Sequence, residues 1–216
     1  IQINPRNSLY HNNLGATLKN LGRLDEAIAS YQKALDIYPD YPEAYNNLGN
    51  AFKSKGDLEA SVANYKKSLE INPNYAEAYN NMGNAYKNHG KFEEAVACYE
   101  KSLEINPKYA EAYYNMGGAL KFQNRLPDSV EAYKKAIEIN PRYAEAYNNL
   151  GVTYKFLGKA EASAESYKKA IEINPKHAEA YNNLGIAMNN LGKTGEAIRY
   201  YSKAMEFKAN YAEAHN

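Results

Sequence analysis

The sequence predicts an all-α protein, a solenoid of six stacked helical hairpins, from three regular features. Prolines recur 34 residues apart without insertion or deletion, at Pro5, Pro39, Pro73, Pro107, Pro141 and Pro175. Between them, apolar and small residues show helical spacing twice in each period. A glycine separates the two helical stretches in most periods. Because one hairpin cannot bury both of its apolar faces alone, neighbouring hairpins must stack and share a core.

The period divides the chain into six repeats, whose slots we number 1 to 34 so that the proline stands at slot 32. The predicted repeats are 8–41, 42–75, 76–109, 110–143, 144–177 and 178–211. Residues 1–7 match the tail of a preceding repeat, and 212–216 match the start of a following one. The sequence therefore predicts one continuous array over residues 1–216.

Each element of the hairpin has its own signal. The first helix packs through slots 4, 7, 8 and 11, and the second through slots 17, 20, 21, 24, 27, 28 and 30. Slot 15 between them is glycine in five repeats and Asn124 in the fourth, the two residues that best accept a left-handed conformation. The slot-32 proline ends the second helix. The sixth repeat has Ala209 there, which predicts either a slightly altered end or no change.

These slots resemble the tetratricopeptide repeat over essentially the whole chain. The shared pattern is a small residue or glycine at slot 8, Ala or Ser at 20, Tyr at 24, Ala or Ser at 27 and Pro at 32. Slot 4, often Trp in that family, is His11 or Tyr here. The resemblance implies a right-handed superhelix whose concave surface is lined by the first helix of every hairpin.

Asparagine is the most regular polar residue of the first helix, and it occupies slot 6 in every repeat. A helical projection puts slots 2, 5, 6, 9, 12 and 13 on an arc of roughly 120° opposite the packing slots. A primary amide both donates and accepts hydrogen bonds, so such a row could pair with an extended peptide backbone. The predicted peptide-binding asparagines are Asn13, Asn47, Asn81, Asn115, Asn149 and Asn183 at slot 6, Asn46 and Asn80 at slot 5, and Asn50 and Asn84 at slot 9.

This row resembles the asparagine ladder of the repeat arrays in O-GlcNAc transferases, where slot 6 faces the ligand. The alternative is that slot-6 asparagines cap or bridge backbone groups between neighbouring repeats. Either role would place an asparagine in every copy.

Large apolar residues join the same arc in the later repeats, at Tyr114, Phe122, Val152, Phe156 and Ile186. An apolar patch there predicts a pocket for a hydrophobic ligand side chain, unless the phenylalanines fold onto adjacent helices. Lysine fills slot 12 in five repeats and glutamate fills slot 2 in five. These charged strips either orient a ligand or are simply solvated helix ends.

Composition excludes several classes of function. The 26 basic and 25 acidic side chains are interspersed, which disfavours nucleic acid as a partner. No apolar run reaches membrane-spanning length and no signal peptide is recognisable, so we expect no membrane partner and an intracellular, cytoplasmic location. The scattered histidines and Cys98 predict no metal or cofactor, and the absence of catalytic motifs predicts that the chain is not an enzyme.

The sequence thus favours a protein–protein interaction scaffold that binds extended peptide segments of partner proteins in its groove. The alternative is the substrate-recognition region of a larger enzyme, such as a protein O-glycosyltransferase with its catalytic domain outside this chain. A third role, gripping acidic chaperone tails, needs Lys at slots 2 and 5 and Arg at slot 6 in family members of that kind. Here those slots hold mostly Glu, Asn and Asn, so this role is not expected.

Overall fold

The computed structural model describes residues 7–213, and the side chains of residues 7–208. These residues form twelve α-helices and no strand, as the repeat pattern predicts. The helices are α1 (Ser8–Asn20), α2 (Leu24–Ile37), α3 (Pro42–Lys55), α4 (Leu58–Ile71), α5 (Ala76–Asn88), α6 (Phe92–Ile105), α7 (Ala110–Phe122), α8 (Leu126–Ile139), α9 (Ala144–Phe156), α10 (Ala160–Ile173), α11 (Ala178–Asn190) and α12 (Thr194–Glu213). No helix among them is both long and apolar enough to cross a membrane.

The helices pair into hairpins, and the hairpins group into two compact units. The first unit, residues 1–107, contains α1 to α6, and the second, residues 108–216, contains α7 to α12. Within each unit, every second helix packs against its own first helix, and the first two of them also pack against the first helix of the next hairpin. Each unit is therefore a stack of three hairpins.

The ends of the helices are where the sequence predicts them. The slot-15 glycines have φ between 70° and 80°, and Asn124, which replaces glycine in the fourth repeat, has φ 59°. The prediction that slot 15 is left-handed is therefore confirmed. Residues before the slot-32 prolines, such as Asn72 with φ −128° and ψ 90°, leave the α region and end the second helix.

The sixth repeat lacks that stop. With Ala209 in place of proline, α12 continues to Glu213 and is 20 residues long, against 14 for the other second helices. The predicted start of a further repeat at 212 thus lies inside this helix for two residues. Residues 214–216, and residues 1–6 of the predicted preceding tail, lie outside the described part of the chain.

Inside each hairpin, the slot-24 tyrosine lies flat against the slot-8 glycine of the first helix. A Cβ placed on Gly151 would lie 2.6 Å from Cε1 of Tyr167, and in the other five pairs the corresponding distance to the ring is 2.6–3.0 Å. Slot-20 serines tie the same helices together, because Ser61 Oγ donates to the Gly49 carbonyl oxygen at 3.0 Å. Ser129 and Ser163 repeat this bond to Gly117 and Gly151.

The contact between successive hairpins uses the same slots each time. Slots 21, 24 and 28 of a second helix pack on slots 3, 7 and 10 of the next first helix, and this pairing builds the buried clusters of both units. Tyr65 and Leu69, for example, pack against Ala78, Met82 and Ala85. We call this recurrent contact the repeat junction.

The glycine–tyrosine contact predicts a large effect from one methyl group. Gly151→Ala should lower the free energy of unfolding by about 1–3 kcal/mol, because the added Cβ would overlap the Tyr167 ring. Gly118→Ala is the matched control, since its Cβ would meet only the Tyr133 hydroxyl at 3.6 Å, an ordinary contact. The control should gain up to about 1 kcal/mol from helix propensity. Urea titration followed by circular dichroism measures both, and equal effects of the two changes would contradict the packing described here.

Candidate functional site

Each unit has a candidate site on the surface of its first helices formed by slots 2, 5, 6, 9, 12 and 13, which we call the A-face of that unit. In the first unit it belongs to α1, α3 and α5, and in the second to α7, α9 and α11. The sequence-predicted binding residues all lie on these helices. Their exposure and hydrogen bonds differ from slot to slot.

Four of the six slot-6 asparagines bridge to the preceding repeat rather than standing free. Asn47 Nδ2 donates to Asn12 Oδ1 at 3.0 Å, and Asn81 Nδ2 donates to Asn46 Oδ1 at 3.1 Å. In the second unit Asn183 Nδ2 donates to Asn148 Oδ1 at 3.1 Å. This agrees in part with the bridging alternative, but the partner is a side-chain amide and not the backbone.

One of these bridges uses a different acceptor. Where slot 5 is Tyr114, Asn149 Nδ2 donates to its hydroxyl at 2.9 Å. A tyrosine thus replaces the asparagine without breaking the bridge. The row of bridges requires an acceptor at slot 5, not an asparagine as such.

The prediction that slot 5 lies open on the A-face is wrong for four of its asparagines. Asn46 and Asn80 are 1% and 0% exposed, and Asn12 and Asn148 are also buried. The helical projection considers one helix at a time, whereas the next first helix of the stack covers this edge of the arc. Slot 6 is partly open: Asn13 is exposed and Asn47, Asn81, Asn149 and Asn183 are half-buried, although Asn115 is buried.

The slot-9 asparagines are also committed to internal bonds. Tyr65 Oη donates to Asn50 Oδ1 at 2.8 Å, and Tyr99 Oη donates to Asn84 Oδ1 at 2.8 Å. In the first repeat slot 9 is Ala16, and the facing Tyr31 hydroxyl is buried with no hydrogen-bond partner among the described residues. Burial also raises the pKa of Tyr31 to about 12. Asn50 and Asn84 are therefore better explained as partners of the core tyrosines than as ligand contacts.

Sequence reasoning missed this bond, although a signal was present. Asparagine at slot 9 occurs only in the second and third repeats, and tyrosine stands 15 residues later in each. A separation of 15 residues across a hairpin does not identify a contact until the crossing of the two helices is known.

The apolar residues of the A-face behave in two ways. Phe122 and Phe156 are 66% and 63% exposed, so they are not core residues. Tyr114 instead packs against the rings of Tyr143 and Tyr133, with centroids 4.9 and 5.9 Å away, and Val152 packs against a core cluster. Ile186 is half-buried. The open part of the predicted apolar patch is thus the phenylalanine pair at slot 13.

Charged groups lie close to the phenylalanine pair. Lys121 Nζ and Lys155 Nζ each lie 5.7 Å from the ring centroid of the following phenylalanine. Burial lowers the pKa of Lys121, and the positive charge of Lys155 lowers it further, against the opposing effect of Glu179. Glu179 is also held by Asn148, whose Nδ2 donates to Glu179 Oε1 at 3.1 Å. The A-face of the second unit therefore combines exposed aromatic rings with a partly desolvated cation.

The remaining reactive side chains have structural roles. Cys98 is buried, and burial raises the pKa of its thiol to about 12. The two ring nitrogens of His89 lie 3.0 and 3.2 Å from the carbonyl oxygens of Ala85 and Gly56, so its single N–H donates to one of them. His177 accepts from the Ala180 N–H at the start of α11. Within residues 7–213, no three His, Cys, Asp or Glu side chains are grouped as metal ligands would be.

Six hairpins of 34 residues, each closed by a tyrosine on a glycine, define an array of tetratricopeptide repeats. Residues 7–216 match the family described as the cilia and flagella-associated protein 70 C-terminal domain. The chain belongs to this family. No curated protein matches it by sequence.

Solved structures agree with this assignment. The chain is similar to MamA, with 32% sequence identity and a TM-score of 0.71 over 77% of this chain and 97% of that one. It is similar to YrrB, described as a TPR protein with an unusual peptide-binding site, at 25% identity and a TM-score of 0.64 over 82% and 91% of the two chains. PilF of Pseudomonas aeruginosa, 17% identical with a TM-score of 0.80 over 95% and 97%, shares the fold.

The tyrosine–asparagine bond predicts a gain in stability from adding one amide. Ala16→Asn should raise the free energy of unfolding by about 1 kcal/mol, because it gives the buried Tyr31 hydroxyl an acceptor. Asn50→Ala, the reverse change, should cost about 1–2 kcal/mol by orphaning the Tyr65 hydroxyl. Thermal melting measures both changes. A destabilising Ala16→Asn would show that the hydroxyl and slot 9 do not face each other in the first repeat.

Proposed function

We propose that this chain binds extended peptide segments of partner proteins along the A-face. The observation that carries the proposal is the pair Phe122 and Phe156, exposed aromatic rings at the same slot of α7 and α9. Exposed apolar groups that cluster on a soluble protein mark interaction sites more often than chance. The proposed partner is protein, rather than nucleic acid, a membrane or an acidic chaperone tail.

Slot-6 amides would hold the peptide backbone. Each bridge described above uses one N–H of the slot-6 amide, which leaves its carbonyl oxygen and second N–H for a ligand. The buried slot-5 partner fixes the orientation of that amide before a ligand arrives. The likeness to the asparagine ladder of O-GlcNAc transferases therefore rests on slot 6 alone.

The expected binding energies show why the slot-6 asparagines alone would not bind a peptide tightly. In the second unit, hydrogen bonds from a peptide to Asn149 and Asn183 contribute about 0.5–1.5 kcal/mol of binding free energy each. Millimolar affinity already requires about 4 kcal/mol after ordering costs are subtracted. Burying one large apolar side chain against the phenylalanine pair adds about 1.5–3 kcal/mol. Sequence preference should therefore come from the phenylalanines, and the ladder should set the direction of the chain.

The phenylalanine pair predicts a loss of binding without a loss of folding. Peptides selected from a random display library on the wild-type chain should be enriched in large apolar residues. Phe122→Ser with Phe156→Ser should weaken their binding at least about tenfold, which corresponds to about 1.4 kcal/mol. Fluorescence anisotropy measures the affinity, and circular dichroism should show unchanged helicity.

A matched control uses an equally exposed apolar pair of the same unit. Ile198 and Met205 on α12 are 60% and 66% exposed but lie off the A-face. Ile198→Ser with Met205→Ser should leave peptide affinity unchanged. Equal losses in the two double variants, or retained affinity in the phenylalanine variant, would contradict the proposal.

Lysines at slot 12 predict a preference for an acidic residue next to the apolar one. Replacing Lys121 and Lys155 by Glu should weaken binding of such a peptide most at low salt and reverse the sign of its salt dependence, because exposed charges interact over about 10 Å at 0.1 M salt and the attraction becomes repulsion. Titrating binding against sodium chloride tests this. Unchanged affinity of the variant at low salt would show that the lysines are only solvated helix ends.

The proposed role is binding without turnover. The same A-face would serve a free scaffold or the substrate-recognition region of a larger enzyme. Incubation of the chain with its selected peptides, followed by mass spectrometry, should show the peptides unchanged. A covalent change in the peptide that persists in a contaminant-free preparation would refute the non-catalytic role.

A further inference from the structure

The groups proposed to bind peptide repeat with the spacing of the first helices. Within the second unit, α7 contacts α9 directly and α9 contacts α11. Helices in direct contact have axes about 8–10 Å apart. Each first helix carries one slot-6 asparagine and one slot-13 residue. Successive binding groups along the A-face are therefore separated by about one helix spacing.

Contacts at both ends of α7 and α9 keep these two helices in register. Near their starts, Asn149 Nδ2 donates to Tyr114 Oη at 2.9 Å. Near their ends, burial lowers the pKa of Lys121, Glu179 opposes this effect, and the positive charge of Lys155 lowers the pKa further. The slot-12 ammonium groups of the two helices thus lie within electrostatic reach of each other, as equivalent slots of stacked hairpins should.

The two phenylalanine rings take equivalent positions on these helices. Phe122 and Phe156 are exposed to nearly the same degree, and each ring centroid lies 5.7 Å from Nζ of the preceding lysine. Because the rings are placed alike on their own helices, the distance between them follows the helix spacing of about 8–10 Å. One bound chain is therefore offered two apolar contacts at that separation.

A β-strand does not fit this separation. Its side chains return to one face every second residue, so residues i and i+2 are about 6.7 Å apart and residues i and i+4 about 13 Å apart. A polyproline II helix has three residues per turn and rises about 3.1 Å per residue. Its residues i and i+3 therefore share a face and lie about 9.3 Å apart, which matches the spacing of the first helices.

The slot-6 amides favour the same conformation. The Asn149 amide is half-buried and uses one N–H in its bridge, which leaves its carbonyl oxygen and second N–H for a ligand. A polyproline II chain has no internal hydrogen bonds, so its backbone groups are free to pair, and they recur in the same direction once per turn. Successive amides would then meet equivalent backbone groups, whereas along a β-strand they would fall out of phase.

We infer that the ligand of the A-face is a proline-rich segment in the polyproline II conformation, with large apolar side chains three residues apart that contact Phe122 and Phe156. This inference rests on the proposed peptide-binding function and specifies its ligand. Prolines between the apolar residues set the conformation in advance, so less entropy is lost on binding. Grooves lined by aromatic rings bind such segments in other protein modules.

Peptides of one composition test the spacing. Two leucines are placed two, three or four residues apart in an otherwise identical proline-rich background, and fluorescence anisotropy measures the affinity of each labelled peptide for the whole chain. The peptide with leucines three apart should bind at least about tenfold more tightly than the other two, because only it contacts both rings. Circular dichroism should show the same polyproline II content in all three.

Two controls separate spacing from conformation. Replacing the prolines between the leucines by glycine keeps the three-residue spacing but removes the preset conformation, and should weaken binding at least about threefold. In the chain, Phe122→Ser with Phe156→Ser should remove the preference, so that the three leucine spacings bind with equal, weakened affinity. Both phenylalanines are exposed, so this variant should keep the helicity of the wild type.

The outcomes distinguish this inference from the proposed function. Tighter binding of leucines two or four apart, or of the glycine peptide over the proline peptide, would overturn the inference. If the double phenylalanine variant still lost that binding, the proposed function would stand. Library-selected peptides that bind while every proline-rich peptide fails would have the same meaning. Failure of both kinds of peptide to bind the wild type would instead refute the proposed function, and the inference with it.

Discussion

The contact on which the structure depends is the slot-24 tyrosine lying on the slot-8 glycine. It sets the distance between the two helices of every hairpin, because a Cβ on the glycine would enter the ring. The same tyrosine is also a member of the junction with the next hairpin. One side chain thus determines both the shape of a repeat and its fit to its neighbour, so its position must be kept in every copy.

The amide bridges between slot 5 of one repeat and slot 6 of the next connect the buried core to the surface. Their slot-5 members are buried, and a buried amide without a partner would cost about 1–3 kcal/mol. Slot 6 supplies that partner from the next repeat, which explains an asparagine in every copy despite its poor helix propensity. A single residue then has two uses: one N–H holds the stack together, and the rest of the amide faces the solvent.

Periodic features of the fold could be predicted from the sequence, and features that depend on a neighbouring hairpin could not. The turn at slot 15, the helix end at slot 32 and the number of hairpins follow from local conformation. Even the replacement of the slot-15 glycine by Asn124 can be predicted to keep the left-handed conformation. The burial of Asn46 and the bond from Tyr65 to Asn50 depend on how two helices cross. A projection of one helix has no information about that crossing, so it placed slots 5 and 9 on the open surface.

The identity of the slot-6 residues within each unit has a consequence for an extended chain bound to them. A row of equivalent amides has translational symmetry, so an extended polymer held by them alone has the same energy after a shift by one repeat. Its position along the row would then be undefined. Phe122 and Phe156 break this symmetry, because no other slot-13 residue is aromatic. They therefore give a bound chain one defined position among several that the asparagines alone would not distinguish.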